Sequence, residues 1–408
     1  MGEAGSEEEV VVIQHQHAHP DIAATLLPGA SRRYCDEVAR LFGADAMHPS
    51  LAALYRTRNG QSLWNFLDGD PTLAQRHEIL LGMFGGYMFY DHLVNVRMLS
   101  LAGAVRMTKL MKLQAGAGGN PVVGAKGRLL AVAADFQMTH AVFVDVQTGE
   151  VRVKVKNWHG HEPGTLRDEM SSRPAAPTGV DVLGWFEEYS RRLAAGVYCV
   201  KPMPGVRGML PPAAPGAQQQ DPLAVTQFPQ AAAAAASLSD SASDSTPACP
   251  VMYEAVSRGA VRIRVSTLYV AEDSSPDENL FTYSVTMDML SAEEQRQRWA
   301  ASGGGVDDGL NITEFHPMTS AQLKTRQWII TDRTGKKTEV KGEAVIGEYP
   351  LLRAGGEPFV YQSCTGCDTP GTMEGGFMFV EGSIASPTGR EFFADCPLFR
   401  LCDPGFIF

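Results

Sequence analysis

The sequence predicts two domains, a mixed α/β (α+β) domain followed by an all-β sandwich. Three observations carry this expectation. Helical and strand periods mix over roughly the first 200 residues, strict apolar alternation dominates roughly the last 160, and a Pro/Ala/Ser-rich stretch separates the two. The resulting division is a disordered tail at 1–20, an α+β domain at 21–203, a linker at 204–249 and a sandwich at 250–408. A chain of 408 residues exceeds one ordinary core and suits two, each able to bury enough apolar surface to fold.

Composition restricts the function classes. A net charge of −11 argues against a nucleic-acid or anionic-membrane surface, which needs clustered Lys and Arg. No apolar run reaches the roughly 20 residues of a spanning helix, and the acidic start MGEAGSEEE is unlike a secretory signal. These features place the chain in the cytoplasm or nucleus. Its seven cysteines, odd in number and scattered, read as reduced thiols.

In chain order, Ser31 is placed to cap a helix whose Val38, Leu41 and Phe42 share a face. Ser50 is placed to cap another, with Leu51, Leu54 and Tyr55, that stops at Asn59-Gly60. Asp70-Pro71 is a third helix start. Val142, Val144 and Val146 alternate up to a Thr148-Gly149 turn, and Val151, Val153 and Val155 alternate after it, which predicts a hairpin with one buried face. Asp181 is placed to cap a helix that buries Val182, Trp185, Phe186, Tyr189 and Leu193 and turns Glu187, Glu188, Arg191 and Arg192 outward. The segment from Pro202 to Pro250, with alanines 231–236, lacks the large apolar groups needed to offset its ordering entropy and predicts a mobile linker. Beyond it, Val261, Ile263 and Val265 alternate with Arg262 and Arg264, and Phe281, Tyr283 and Val285 alternate in turn. Trp328 to Ile330 then precede a turn at Asp332 to Gly335. The glycine-rich stretch from Ser291 to Thr313 reads as an extended loop inserted between strands.

Two resemblances attach to these patterns. RTRNGQSLW, GMFGGYMFYDHLVNVRMLSL, AVFVDVQTGEVRV and VLGWFEEYSRRL, in that order, resemble the SUKH superfamily, the fold of the yeast cell-wall-assembly regulator. The resemblance makes Asn59, Gly60, Gly85, Gly86 and Tyr87 signature positions of that fold. RQWIITD, GEAVIGEYPLL, YQSC, GTMEGGFMF and CPLFRL resemble the ApaG domain, which implies a fibronectin type III-like sandwich with Trp328 in its core. Where bacterial ApaG proteins carry GxGxxG, this chain has Gly342, Ala344 and Gly347, and no helix start follows to bind a phosphate. Both domains together resemble the plant-type F-box proteins that carry an ApaG domain, although the first 30 or so residues show no helical F-box pattern.

The function implied is a non-enzymatic adaptor that binds other proteins, with ubiquitin-ligase components of an SCF type among the partners. Without an F-box the chain is expected not to bind the Skp adaptor alone. A structural subunit of a larger, even cytoskeletal, assembly is the alternative, and a nucleotide or pyrophosphate sensor is the third reading. Loops at sandwich ends vary while the strands hold them, so partner binding is expected at Gly342, Glu343 and Gly347 and at Ser363, Glu374 and Gly375. The insertion at 291–313 is expected to contribute.

No catalytic residue, metal or cofactor is expected. There is no GxSxG, GxxxxGK[ST] or HExxH. Cys364 and Cys367 with Cys396 and Cys402 have loose spacing for zinc. His15, His17 and His19 sit in a polar tail, and Trp158-His159-Gly160-His161-Glu162 reads as an exposed loop.

Overall fold

The computed structural model describes residues 26–61, 82–90, 92–114, 128–135, 138–155, 171–202, 223–230, 251–275, 278–302, 306–307, 310–311 and 315–408. The Asp70-Pro71 helix start, the His15 and Trp158 clusters and the alanine run lie outside the described residues. The chain forms two compact units. The first comprises Met1–Gln227, Val270–Leu280 and Pro404–Phe408, and the second Phe228–Tyr269 and Phe281–Asp403.

In the first unit, strand β1 (Leu26–Pro28) leads to helix α1 (Arg32–Leu41), where the Ser31 hydroxyl accepts the Tyr34 N–H at 3.2 Å. Cys35, Val38 and Phe42 are buried, but Leu41, expected beside them, is 66% exposed because the helix ends there and only Phe42 turns inward. Helix α2 (Pro49–Thr57) is capped at His48, not Ser50, since Pro49 occupies the first helical position, where its missing N–H does no harm. Asn59-Gly60 does more than stop this helix. It forms part of strand β2 (Arg58–Gln61), and the Asn59 side chain accepts the Leu101 N–H at 2.8 Å, at the start of helix α3 (Leu101–Gln114). A Cβ on Gly60 would lie 2.2 Å from the Leu99 carbonyl oxygen, so only glycine fits.

A six-stranded antiparallel sheet follows in sequential order. Its strands are β3 (Phe84–Phe89), β4 (His92–Met98), β5 (Leu129–Ala134), β6 (Ala141–Asp145), β7 (Val151–Val155) and β8 (Ser171–Pro174). The expected valine hairpin is β6–β7, with Val142 opposite Val153 and Val144 opposite Val151, all buried. Helix α4 (Val182–Ala194) starts at Asp181, whose carboxylate accepts the Leu183 and Gly184 N–H groups, each at 3.1 Å. Its Trp185 indole donates to the Ile407 carbonyl at 2.8 Å, and Phe84, Tyr189 and Phe408 pack around the ring system. Arg192, expected to face solvent, is buried: it bonds Glu188 and the Tyr198 hydroxyl and lies 5.1 Å over the Phe408 ring.

The expected linker also differs. Strand β9 (Cys199–Pro202) pairs with β10 (Leu223–Thr226), and Ala224 and Val225 are buried. The Leu-Ala-Val-Thr strand signal was masked by the Pro, Ala and Gln around it. A Cβ on Gly86 would lie 2.0 Å from the Val225 carbonyl oxygen, which accounts for glycine at that position.

In the second unit, β11 (Tyr253–Ser257), β12 (Val261–Tyr269) and β13 (Asn279–Met289) run in order, and β19 (Phe359–Cys367) completes their sheet beside β13. Val261, Ile263 and Val265 point inward, while Arg262 and Arg264 on the other face both pair with Asp288. Helix α5 (Ala292–Ala301) replaces the first part of the loop expected from Ser291. Ser291 and Glu294 form a reciprocal capping box there, a signal hidden by the glycines that follow. The short strands β14 (Val306–Asp307) and β15 (Leu310–Asn311) pair with each other.

The other sheet has the order β17 (Lys337–Glu343), β16 (Ser320–Thr331), β20 (Gly371–Gly382) and β21 (Pro387–Leu401), with β18 (Leu351–Arg353) also on β16. Both sheets contribute to one core. Trp328 is buried at its centre, edge-on to Phe377 at 5.4 Å and to Tyr283 at 5.7 Å.

Candidate functional site

The end of β17 and the turn after it carry half of the residues expected to bind a partner, Gly342, Glu343 and Gly347. Val345 and Glu348 exchange N–H···O bonds of 3.0 and 2.8 Å, so Ile346 and Gly347 are the two central residues of a tight turn. Their φ angles, 46° and 82°, are both positive, as a type I′ turn requires. Asn or Gly is at ease at the first central position. A β-branched Ile is not, and such placements cost about 1–3 kcal/mol. Ala344 is also left-handed, at φ 58°.

The surroundings hold this strained turn in place. Arg326 donates through Nη1 to the carbonyls of Glu343 at 2.9 Å and Ala344 at 2.7 Å, and the Tyr349 hydroxyl donates to the Glu343 carboxylate at 3.1 Å. A Cβ on Gly342 would meet that guanidinium at 3.1 Å, so the missing side chain makes room for the lock. Val345 is buried beneath, whereas Ile346 is 55% and Tyr349 41% exposed. The result is an apolar tip flanked by the exposed Glu343 and Glu348.

The second expected loop, Ser363 to Gly376, is mostly strand. β19 runs to Cys367 and β20 begins at Gly371, which leaves only a short connection. Ser363 lies in one sheet, where its carbonyl accepts the Thr282 hydroxyl, while Glu374 and Gly375 lie in the other. A Cβ on Gly375 would lie 2.1 Å from the Gln327 carbonyl oxygen, so this glycine permits close strand packing. Glu343 and Glu374 share the outer face but stand apart along it, opposite Thr325 and Ile329 respectively. The turn therefore does not gather Ser363, Glu374 and Gly375 into one site.

Sequence reasoning missed a second constellation, inside the first unit. A 3₁₀ turn, Ala271–Asp273, buries Glu272. Its Oε1 accepts the Tyr87 hydroxyl at 2.6 Å and lies 2.9 Å from His92 Nε2, and its Oε2 lies 2.9 Å from His140 Nδ1. Asp135 accepts the His140 backbone N–H at 3.2 Å and the Thr139 hydroxyl. Burial by itself would raise the Glu272 pKa, but the charge and hydrogen bond of His140, with the bonds from His92 and Tyr87, hold the carboxyl well below its usual range. Burial pulls both histidines down, and Glu272 together with Asp135, and Asp273 at His92, more than reverses this, leaving each raised. Burial raises Asp135 and Tyr87.

One ring nitrogen of each histidine faces the carboxylate, so this is a buried anion held by donors of the protein itself. Among the described residues no group of His, Cys, Asp and Glu has the arrangement of a metal site, and the described cysteines are free thiols. Nor does any described helix have the length and apolarity to cross a membrane. Only Tyr87 of this cluster stood out in the sequence, because its partners lie up to 185 positions away.

Residues 270–381 match the family described as the ApaG domain. Over 401 residues the chain is 28% identical to the F-box protein SKIP16 of Arabidopsis thaliana, covering 95% of this chain and 76% of that one. Over 153 residues it is 35% identical to Protein ApaG of Bradyrhizobium diazoefficiens, covering 38% of this chain and 95% of the relative. A crystal structure of the putative ApaA protein from Bordetella pertussis is 28% identical, with 35% of this chain and 94% of that one covered at a TM-score of 0.27.

Proposed function

Through its C-terminal sandwich the chain belongs to the ApaG family, and on that premise we propose that it is a non-enzymatic adaptor that recognises other proteins through the turn at Glu343–Tyr349. The observation that carries this reading is the strained display of Ile346. A β-branched residue at positive φ persists only where its surroundings over-determine it, and here they expose an apolar side chain that core packing does not use. Interfaces are anchored by apolar groups held on rigid elements, aromatic ones most often and aliphatic ones less often. The family relatives are ApaG proteins and an F-box protein, and the latter likeness supports a setting in which captured partners are presented to an SCF-type ubiquitin ligase. The first unit is read as a SUKH-like support, in which Asn59-Gly60 and Gly85-Gly86 serve close packing.

The test uses Ile346→Asn and the pair Glu343→Lys with Glu374→Lys. Partners are identified by cross-linking and mass spectrometry on the full chain, then titrated individually. Ile346→Asn is expected to weaken binding of a purified partner about tenfold, in the range of a modest hot spot, at unchanged or raised stability. Equal affinity of wild type and all variants at normal melting temperature overturns the assignment.

A further inference from the structure

Among the described residues strand β17 ends its sheet, and every residue in it except Gly342 is exposed. Its neighbour β16 satisfies one edge only. The bonds from Asp332 N–H to the Lys336 carbonyl and from Ala344 N–H to the Lys324 carbonyl fix the phase of that pairing. Even-numbered residues of β17 exchange backbone bonds with β16, and Lys337, Glu339, Lys341 and Glu343 aim theirs at the open edge. Val340 lies opposite the buried Trp328, on the core face, yet is 40% exposed.

The sequence of this edge, Lys-Thr-Glu-Val-Lys-Gly-Glu, is charge-complementary about Val340, with a lysine on one side mirrored by a glutamate on the other. We infer that β17 pairs antiparallel with β17 of a second copy of this chain, about a two-fold axis at Val340. In that register Lys337 faces Glu343 of the second copy and Glu339 faces Lys341, so every lysine meets a glutamate. These are the residues whose backbone groups point outward, so the charge match and the hydrogen-bond phase select the same alignment. Val340 then meets its own mate as a non-hydrogen-bonded pair, where side chains approach most closely, and the apolar edge of each sandwich is covered.

Charged residues on an edge strand ordinarily discourage pairing. Here they discourage only the wrong alignments. A slip of two residues sets Lys337 against Lys341 with Glu339 against itself, or Glu339 against Glu343 with Lys341 against itself. The two-fold is isologous and closes after two copies, so it produces a dimer and not a fibre. One short strand makes a small interface, so the association is weak, concentration-dependent and salt-sensitive.

The experiment is sedimentation equilibrium of the full chain at rising concentration, in low and high salt. Wild type is expected to show a monomer–dimer equilibrium that weakens in salt. Lys337→Glu with Lys341→Glu, and separately Glu339→Lys with Glu343→Lys, are each expected to self-associate at least about tenfold more weakly, because like charges then face each other. An equimolar mixture of the two variants should recover association by forming the mixed pair. In parallel, Val340→Cys should form a cross-linked dimer under mild oxidation, since the paired Cα atoms would lie about 4.5 Å apart, and Thr338→Cys should stay at the wild-type background. A wild type that remains monomeric throughout overturns the proposal. So does a charge variant that dimerises like wild type, a mixture that fails to recover, or equal cross-linking at positions 338 and 340. Loss of partner binding by Ile346→Asn bears on the adaptor reading alone, so the two can fail separately.

Discussion

At the scale of single residues, strain and buried charge both mark positions whose substitution reads out in stability. Ile346→Asn keeps the type I′ turn and places there a residue that tolerates positive φ, so it should raise stability by about 1 kcal/mol. A shift in the urea midpoint checks this, and a lower midpoint would mean that the Ile346 side chain packs favourably enough to outweigh its backbone cost. Glu272→Gln has the opposite sign: it leaves His92 and His140 beside a neutral amide and should cost about 3 kcal/mol where the pair is charged. The pH dependence follows from the directions of the shifts. The depressed Glu272 contributes fully above the ordinary carboxyl value of 4.5 and loses its contribution as pH falls through its folded value. The raised histidines contribute fully below the ordinary imidazole value of 6.5 and lose theirs as pH rises through their folded values. Hence the advantage of wild type over Glu272→Gln should peak between those limits and shrink on both sides, measured as paired denaturation midpoints across pH. A constant difference would show that the histidines do not titrate against this carboxylate.

At the scale of elements, the local signals that specify an alternation or a cap were legible, and those diluted by their neighbours were not. The valine hairpin and the Asp181 cap follow from spacing alone, because each depends on residues within a few positions. Helix α5 carries its own start signal in Ser291 and Glu294, but the glycines beyond it give the stretch the composition of a loop. Ser291→Ala should destabilise the second unit by about 1 kcal/mol, since it frees the Glu294 N–H and removes half of the capping box. Chemical denaturation of the variant against wild type measures it, and no change would place the helix outside the cooperative core. Arg192 shows the limit of helical periodicity. Its position on α4 reads as solvent-facing, and Tyr198 together with the return of Phe406 and Phe408 against the guanidinium makes it interior. Phe408→Ala should therefore cost about 3 kcal/mol in the first unit, as for other buried phenylalanines, with Trp185 fluorescence reporting the loss of packing.

At the scale of the whole chain, sequence separates the two units but not the way their segments are shared. The composition change after residue 202 is visible to any reading of the chain, whereas the inclusion of Val270–Leu280 and Pro404–Phe408 in the first unit depends on contacts spanning more than a hundred positions. The consequence can be tested by proteolysis. The Pro/Ala/Ser-rich stretch between 231 and 250 should be cut first on compositional grounds. The sequence by itself then suggests two independent fragments. Instead, the N-terminal fragment lacks the Glu272 that holds Tyr87, His92 and His140, and it lacks the Ile407 carbonyl that accepts the Trp185 indole. Both groups reside on the C-terminal fragment, so the nicked halves should co-elute as one species in gel filtration and separate only in denaturant. The isolated N-terminal fragment should refold poorly, with a buried carboxylate partner and an aromatic lid both missing, and adding the C-terminal fragment should restore it. Fragments that part without denaturant and melt independently at the wild-type temperature would show that these long-range contacts contribute nothing to the stability of the first unit.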